Sequence, residues 1–272
     1  MSSPGQAGII AGMCSKKSVY TLGDFDTIIR EWLHLEEFAA ADSSDNGLQV
    51  ANASGKIRRV AFAVDACLES FRRAREWQAD LLFVHHGLFW GRTLPVTGGH
   101  YRRLKALLEA DCALYAAHLP LDAHPELGNN AGIAALLGLQ EVESFGLYKG
   151  LKIGLKGRLP EPQRLAGLER TLSGGRSQGL ASLPFGGESI RSVGIVSGAA
   201  ASTAEQAIEE QLDLFITGES SHTIYHPCLE AGLHVLFAGH YHTEIWGVKQ
   251  VCEKVASELG LETLFLDLPT GY

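Results

Sequence analysis

Asp80–Gly87 reads D-L-L-F-V-H-H-G, four apolar residues held between a carboxylate and a His-His-Gly exit. A short apolar run bounded in this way predicts a buried strand, and the strand delivers His85 and His86 at its carboxyl end. In an open α/β sheet that end is where ligands bind. Neutral imidazole is the commonest metal ligand in proteins, so the stretch points to a metal site served by a sheet.

The flanking sequence alternates in the same sense. Leu22–Phe38 carries Phe25, Ile28, Ile29, Trp32 and Leu33 at helical spacing, with Asp24 and Asp26 near its start, where carboxylates suit the helix dipole. Asp42–Gly47 is turn-forming and Leu48–Val50 a short strand; Lys56–Asp65 is a strand and Ala66–Gln78 a helix. Beyond the histidine pair, Tyr101–Ala110 is a helix, Cys112–His118 a strand running into H-L-P-L-D, and Asn130–Leu139 a short helix. Leu151–Arg158 reads as a strand and Glu161–Leu172 as a helix, followed by a Gly- and Ser-rich connector over Ser173–Ser189. Then come strand Ser192–Ser197, helix Ser202–Gln211, strand Asp213–Gly218, helix His222–Ala231, strand Leu233–Gly239, helix Thr243–Leu259 and strand Thr263–Leu268. Strands alternating with helices predict an α/β protein with largely parallel sheets covered by helices.

The second half resembles the first. Val60 to Asp80 spans the same interval as Val193 to Asp213, D-L-L-F-V-H-H matches D-L-F-I-T-G-E, and L-Y-A-A-H-L-P-L-D matches L-F-A-G-H-Y-H-T-E. His85 and His86 thereby align with Gly218 and Glu219, and His118 and Asp122 with His240 and Glu244. The expectation is two similar interlinked lobes from an internal duplication, 21–145 and 190–272, joined by 146–189 and preceded by a disordered tail over 1–20.

Composition narrows the classes. With 272 residues, 46% hydrophobic and 20% charged, the chain is globular and long enough for a substantial core. A net charge of −8 argues against a broad phosphate-backbone surface, so nucleic acid is not expected as a main partner. The five cysteines lack a C-x-x-C pair and suggest reduced thiols in a cytoplasmic protein. No run approaches the ~18 apolar residues of a membrane helix.

Two H-x-x-x-[D/E] pairs and one His-His pair make up the candidate constellation. At a helix start, His240 and Glu244 share a face. Imidazole and carboxylate without thiolate suit Zn, Fe, Mn, Ni or Co. His85, His86, Asp122, His240 and Glu244 are too many for one catalytic zinc and suit two divalent ions with a bridging carboxylate. Their residual positive charge would favour a bridging hydroxide and an anionic substrate, which is the chemistry of metal-assisted hydrolysis. Blander readings exist: His118 and Asp122 as a hydrogen-bonded turn, His240 and Glu244 as a helix-start arrangement, Thr217-Gly218-Glu219 as a helix-leading turn or support for the ligands. His222, His226 and His242 are weaker candidates, Gly174-Gly175-Arg176 lacks the context of a phosphate loop, and Phe89, Trp90 and Trp246 could stack a base or pack in a core.

D-N-G-L-Q-V (Asp45–Val50), V-H-H-G (Val84–Gly87), H-L-P-L-D with Asn129-Asn130, I-T-G-E (Ile216–Glu219) and G-H-Y-H-T-E (Gly239–Glu244) together resemble the Nif-three-like dinuclear metal proteins, often labelled GTP cyclohydrolase I type 2 homologues. The resemblance runs from about residue 20 onward. It implies metal ligands at His85, His86, Asp122, His240 and Glu244, with Glu244 as the bridge, and His118 beside the metals as a supporting or acid-base group. It also implies a ring-shaped homohexamer, a trimer of dimers, with the sites facing an internal cavity. The expected function is hydrolysis of a small phosphorylated or nucleotide-like molecule, ring-opening of GTP being the named variant. The alternatives are an iron-trafficking or storage protein and a metal-stabilised regulatory scaffold.

Overall fold

The computed structural model describes residues 19–174 and 180–271. In chain order its elements are β1 (Tyr20–Thr21), α1 (Leu22–Leu33), β2 (Gly47–Val50), β3 (Lys56–Ile57), β4 (Arg59–Asp65), α2 (Leu68–Glu76), β5 (Leu81–His86), α3 (Gly98–Ala110), β6 (Ala113–Ala116), α4 (Leu119–Ala123) and α5 (Asn129–Leu137). There follow β7 (Gln140–Tyr148), β8 (Leu151–Gln163), α6 (Leu165–Ser173), β9 (Ala181–Pro184), β10 (Ile190–Ile195), α7 (Ala204–Glu209), β11 (Leu214–Thr217), α8 (Tyr225–Ala231), β12 (His234–Phe237), α9 (His240–Lys254) and β13 (Glu262–Phe265). None of the described helices is long and apolar enough to cross a membrane.

Two mixed sheets organise the chain. The first has the order β13-β4-β5-β6-β2, parallel except for β2. The second has the order β7-β8-β10-β11-β12-β9, with β10, β11 and β12 parallel and the other three antiparallel to their neighbours. The matched sequences occupy equivalent places in them. Val60 pairs with Leu81, and Val193 with Leu214. Asp80 accepts the N–H groups of Arg58 and Arg59 at 2.7 and 2.9 Å, while Asp213 accepts those of Arg191 and Ser192 at 2.9 and 2.7 Å. In both sheets the aspartate before the apolar run ties the start of its strand to the neighbouring strand.

Helices cover both faces of each sheet, which is why β5 is an uninterrupted apolar run. On the first sheet, Phe62, Phe83 and Tyr115 pack with Phe25 and Ile29 of α1 and Val248 and Val251 of α9. On its other face, Leu82 and Leu114 meet Phe71 of α2 and Leu107 of α3. The second sheet is covered by Ile133 and Leu137 of α5 with Leu168 of α6 on one face, and by Ala204, Ala207 and Cys228 of α7 and α8 on the other. Removing each large side chain from water contributes about 1.5–3 kcal/mol. The lobes are interlinked by exchange: α5, early in the chain, covers the later sheet, whereas α9 covers the earlier sheet and β13 extends it. Segment 190–272 is therefore shared between the two sheets. Gly132 lets α5 and α9 meet closely, since a Cβ there would lie 2.4 Å from Trp246 Cβ.

Several boundaries differ from expectation. The first helix ends at Leu33, not Phe38, because His34 adopts a left-handed conformation (φ 52°) and a 3-10 turn, Leu35–Phe38, follows. Tyr20 is not tail but a buried residue of β1, paired with Ile57; residues 1–18 of the expected tail lie outside the described residues. The strand expected to end at Arg158 continues to Gln163 through Pro160 and Pro162, which delays α6 to Leu165. H-L-P-L-D forms the short helix α4, with Pro120 in its first turn. The expected connector contributes an edge strand, β9, paired with β12, and β7 was not anticipated at all. Gly175 and Arg176 fall outside the described residues.

Candidate metal centre

Each candidate ligand stands where an element of one sheet or the other terminates. His85 and His86 end β5. Asp122 lies on α4, immediately after β6. His240 opens α9 after β12, three residues earlier than the helix expected from Thr243, because Gly239 (φ 92°) turns the chain sharply out of the strand. Glu244 follows one helical turn later and reaches the same point.

The side chains converge. His85 Nε2 lies 3.6 Å from Asp122 Oδ1 and 3.6 Å from Glu244 Oε1. Glu244 Oε2 lies 3.3 Å from His86 Nε2 and 3.0 Å from His240 Nε2. Two ligand sets result, His85/Asp122/Glu244 and His86/His240/Glu244, and Glu244 turns one oxygen to each. His118 joins His85 and His86 in a third grouping, with ring centroids 5.1 and 5.7 Å away.

Each of the four histidines of the centre is oriented through Nδ1. His85 donates to Ala117 O at 3.0 Å, His86 to Asp65 Oδ1 at 2.9 Å, His118 to Asp42 Oδ1 at 2.9 Å and His240 to Glu219 Oε1 at 2.5 Å. With Nδ1–H so engaged, the lone pair of Nε2 faces the centre, the tautomer a metal ligand needs. Asp122 is fixed by Asn129 Nδ2 and Ser197 Oγ, both donating to Oδ1 at 2.9 and 2.8 Å. Asn129 Oδ1 in turn accepts from Gly247 N on α9, and Asn130 spans Asp122 O, Ile153 O and Ser197 N. Gly198 (φ 66°) is required beside this network, because a Cβ there would lie 2.3 Å from Glu244 Oε1.

The donor set fits divalent metal. His85 Nε2 and Glu244 Oε2 are buried and hydrogen-bonded to nothing among the described residues, a costly state unless protons or cations stand between these acceptors. Burial alone would raise the Glu244 carboxyl pKa, but His85, His240 and His86 outweigh it and hold it well below the carboxylate range. Burial likewise disfavours a charged His85, yet Asp122 and Glu244 push its pKa up to about 9; His240 reaches about 9 through its contact with Glu244. Such a cage holds positive charge, as protons or as metal.

The centre opens on two sides. A cleft of ≈ 260 Å³ has His86, His118, Asp122, His240 and Glu244 at its base, and Ser43, Tyr148, Ser202 and Thr203 among its walls. A more open recess of ≈ 330 Å³ reaches His86 and His240 past Asp65, Glu219 and Tyr241. All six residues singled out in the sequence are brought together. His222 and His226 are exposed, and neither they nor His242 belongs to a ligand grouping. Trp90 packs its ring 5.0 Å from His118, Phe89 meets His100, and Trp246 joins the core of the second sheet. Sequence reading missed Asp42 and Asp65, although the position of Asp65 at the end of the strand beside β5 was a usable signal, since it pairs with His86.

The chain has relatives of similar sequence and fold. A chain from Treponema pallidum named "GTP cyclohydrolase 1 type 2 homolog" is 43% identical over 92% of this chain and 99% of its own length. One of the same name from Archaeoglobus fulgidus is 45% identical over 87% and 94%. Among solved structures, TTHA1606 from Thermus thermophilus superposes with a TM-score of 0.84 at 38% identity, covering 93% of this chain and all of its own. Protein ybgI, of unknown function, reaches 0.86 at 33% identity with the same coverage. The sequence profile of Duf34/NIF3 (NGG1p interacting factor 3) matches residues 20–270. The chain belongs to the Duf34/NIF3 family.

Proposed function

We propose that the chain is a dinuclear metal-dependent hydrolase of a small anionic, phosphorylated or nucleotide-like substrate. The observation that carries this reading is Glu244, whose two carboxylate oxygens face two separate histidine sets. His85, Asp122 and Glu244 would hold one divalent ion, and His86, His240 and Glu244 the other. Such ions supply an acidified water and neutralise an anionic substrate group. The chain's own residues do the rest. Asp42 fixes the His118 ring through Nδ1, leaving Nε2 at the base of the cleft to take or give a proton. Asp65 and Glu219 hold His86 and His240, and Trp90 shields one side of His118 from water. The name carried by the relatives supports ring-opening hydrolysis of GTP as the specific reaction to try first.

The test is elemental mass spectrometry of the purified protein before and after chelation, alongside assays with GTP and a panel of phosphoesters. About two metals per chain, with turnover lost on chelation and restored by metal, is the expected result. Two bound metals without turnover on any substrate would overturn the hydrolase reading in favour of metal handling.

A further inference from the structure

The wall of the metal cleft contains a feature that ligand geometry does not account for. β7 and β8 form a hairpin whose tip is Tyr148-Lys149-Gly150-Leu151, with Tyr148 paired to Leu151. The two turn residues, Lys149 (φ 45°) and Gly150 (φ 88°), both take positive φ, the geometry of a tight hairpin turn in which the first position favours Asn, Asp or Gly. Lysine is a costly choice for that backbone, so its side chain is where a reason for it should be sought. The tip reaches across to the first lobe, where Lys149 Nζ donates to Ala41 O at 2.9 Å. Ala41 and Tyr148 both line the cleft that has the metal ligands at its base.

Tyr148 is 44% exposed and lines a cleft walled elsewhere by Ile153, Val196 and hydroxyl residues. The Lys149 ammonium lies over one face of the Tyr148 ring, 5.1 Å from its centre, which leaves the other face for a ligand. Its protein partner is a neutral carbonyl, and it forms no ion pair among the described residues. Among the described residues, no arginine or lysine lines the cleft itself. A molecule placing an anionic group on the metals would thus meet a half-exposed ring backed on one face by an ammonium that has no carboxylate partner among the described residues.

We infer that Tyr148 and Lys149 form the specificity rim of the cleft and select a small anion that carries a flat ring, the ring stacking on Tyr148 and the negative charge drawn by Lys149. This rests on the proposed metal-centred function for the anion's anchor, and it adds the part of the substrate that the metals do not read. The hydroxyls of Ser43, Ser202 and Thr203 on the walls suit polar substituents of such a ring.

The probes are phenylphosphonate and methylphosphonate, whose P–C bonds resist hydrolysis, titrated calorimetrically into the full-length metal-loaded protein. The wild type should bind the phenyl compound roughly tenfold more tightly. Tyr148→Ala should abolish that preference, leaving methylphosphonate within about twofold, and Tyr148→Phe should keep it. Lys149→Asn suits the turn better than lysine, so the fold is retained; it should weaken both phosphonates about fivefold with unchanged metal content. A wild type without preference, a preference that survives Tyr148→Ala, or Lys149→Asn affinities equal to wild type would overturn the assignment. Turnover of phosphoesters is read separately. Ring selectivity without turnover removes the hydrolase reading and leaves the rim; turnover without selectivity does the reverse.

Discussion

The two halves of the candidate metal centre share Glu244 and are otherwise built on opposite plans. The inner half is buried: His85 is 0% and Asp122 8% exposed, and both are oriented by neutral groups, the Ala117 carbonyl, Asn129 and Ser197. The outer half meets solvent. His86 and His240 are held by carboxylates, Asp65 and Glu219, that are themselves 37% and 44% exposed. A neutral, buried frame fixes geometry by hydrogen bonds that water does not compete for, whereas an ionic, exposed frame orients its imidazoles through charged acceptors that salt screens. One centre thus contains a rigid half and an electrostatically tuned half.

Glu244→Ala should have the largest effect, since it removes the side chain common to both halves; both metals should be lost, as elemental analysis will show. Loss of a single metal would mean that the halves are independent. Asp65→Asn and Glu219→Gln should each weaken the outer site about 10–100-fold, read by metal titration, while thermal stability changes little because the carboxylates are exposed. An equal loss from both sites would erase the distinction between the halves. Asn129→Ala should instead lower global stability by about 1–3 kcal/mol in urea unfolding, because it leaves the buried Gly247 N–H without an acceptor, whereas Ser197→Ala, which leaves Asp122 Oδ1 its Asn129 donor, should cost less.

A separate expectation concerns pH dependence, and its sign sharpens the comparison. In metal-free protein His85 and His240 have pKa values raised to about 9. Between the ordinary histidine value and that point the folded state binds more protons than the unfolded state, so stability is full below about 6.5 and falls as pH rises toward 9. Metal must displace these protons, so its affinity should rise over the same interval and metal-loaded protein should not show the alkaline loss. Melting temperatures with and without metal across pH 6–9 check both. Parallel profiles would show that protons and metal do not compete.

What the sequence revealed and what it concealed follow from the same physics. Leu81–Val84 announces a doubly covered strand because burial on both faces demands continuous apolarity, and the histidines at its end are then placed without further information. Glu244 is legible because helical spacing carries it to His240. Asp42 was not, since a carboxylate in a turn looks alike whether it supports an imidazole or meets water, and Asp65 was legible only through its place at the end of the strand beside β5. β7 escaped notice because it is an edge strand with Val142, Leu147 and Tyr148 exposed, so no alternating pattern marks it. The place of β13 in the first sheet was hidden for another reason: sequence order says that a strand follows a helix, not which sheet it joins.

That last strand has a consequence for how the protein comes into being. β13 pairs with β4, and α9, which carries His240 and Glu244, packs on the sheet whose β5 presents His85 and His86. During translation the early strands must therefore wait, one face of their sheet covered by α1 alone, until α9 and β13 have left the ribosome. A nascent chain cannot bring His240 and Glu244 to His85 and His86 before α9 has emerged, so the candidate centre forms only when the late helix has met the early sheet.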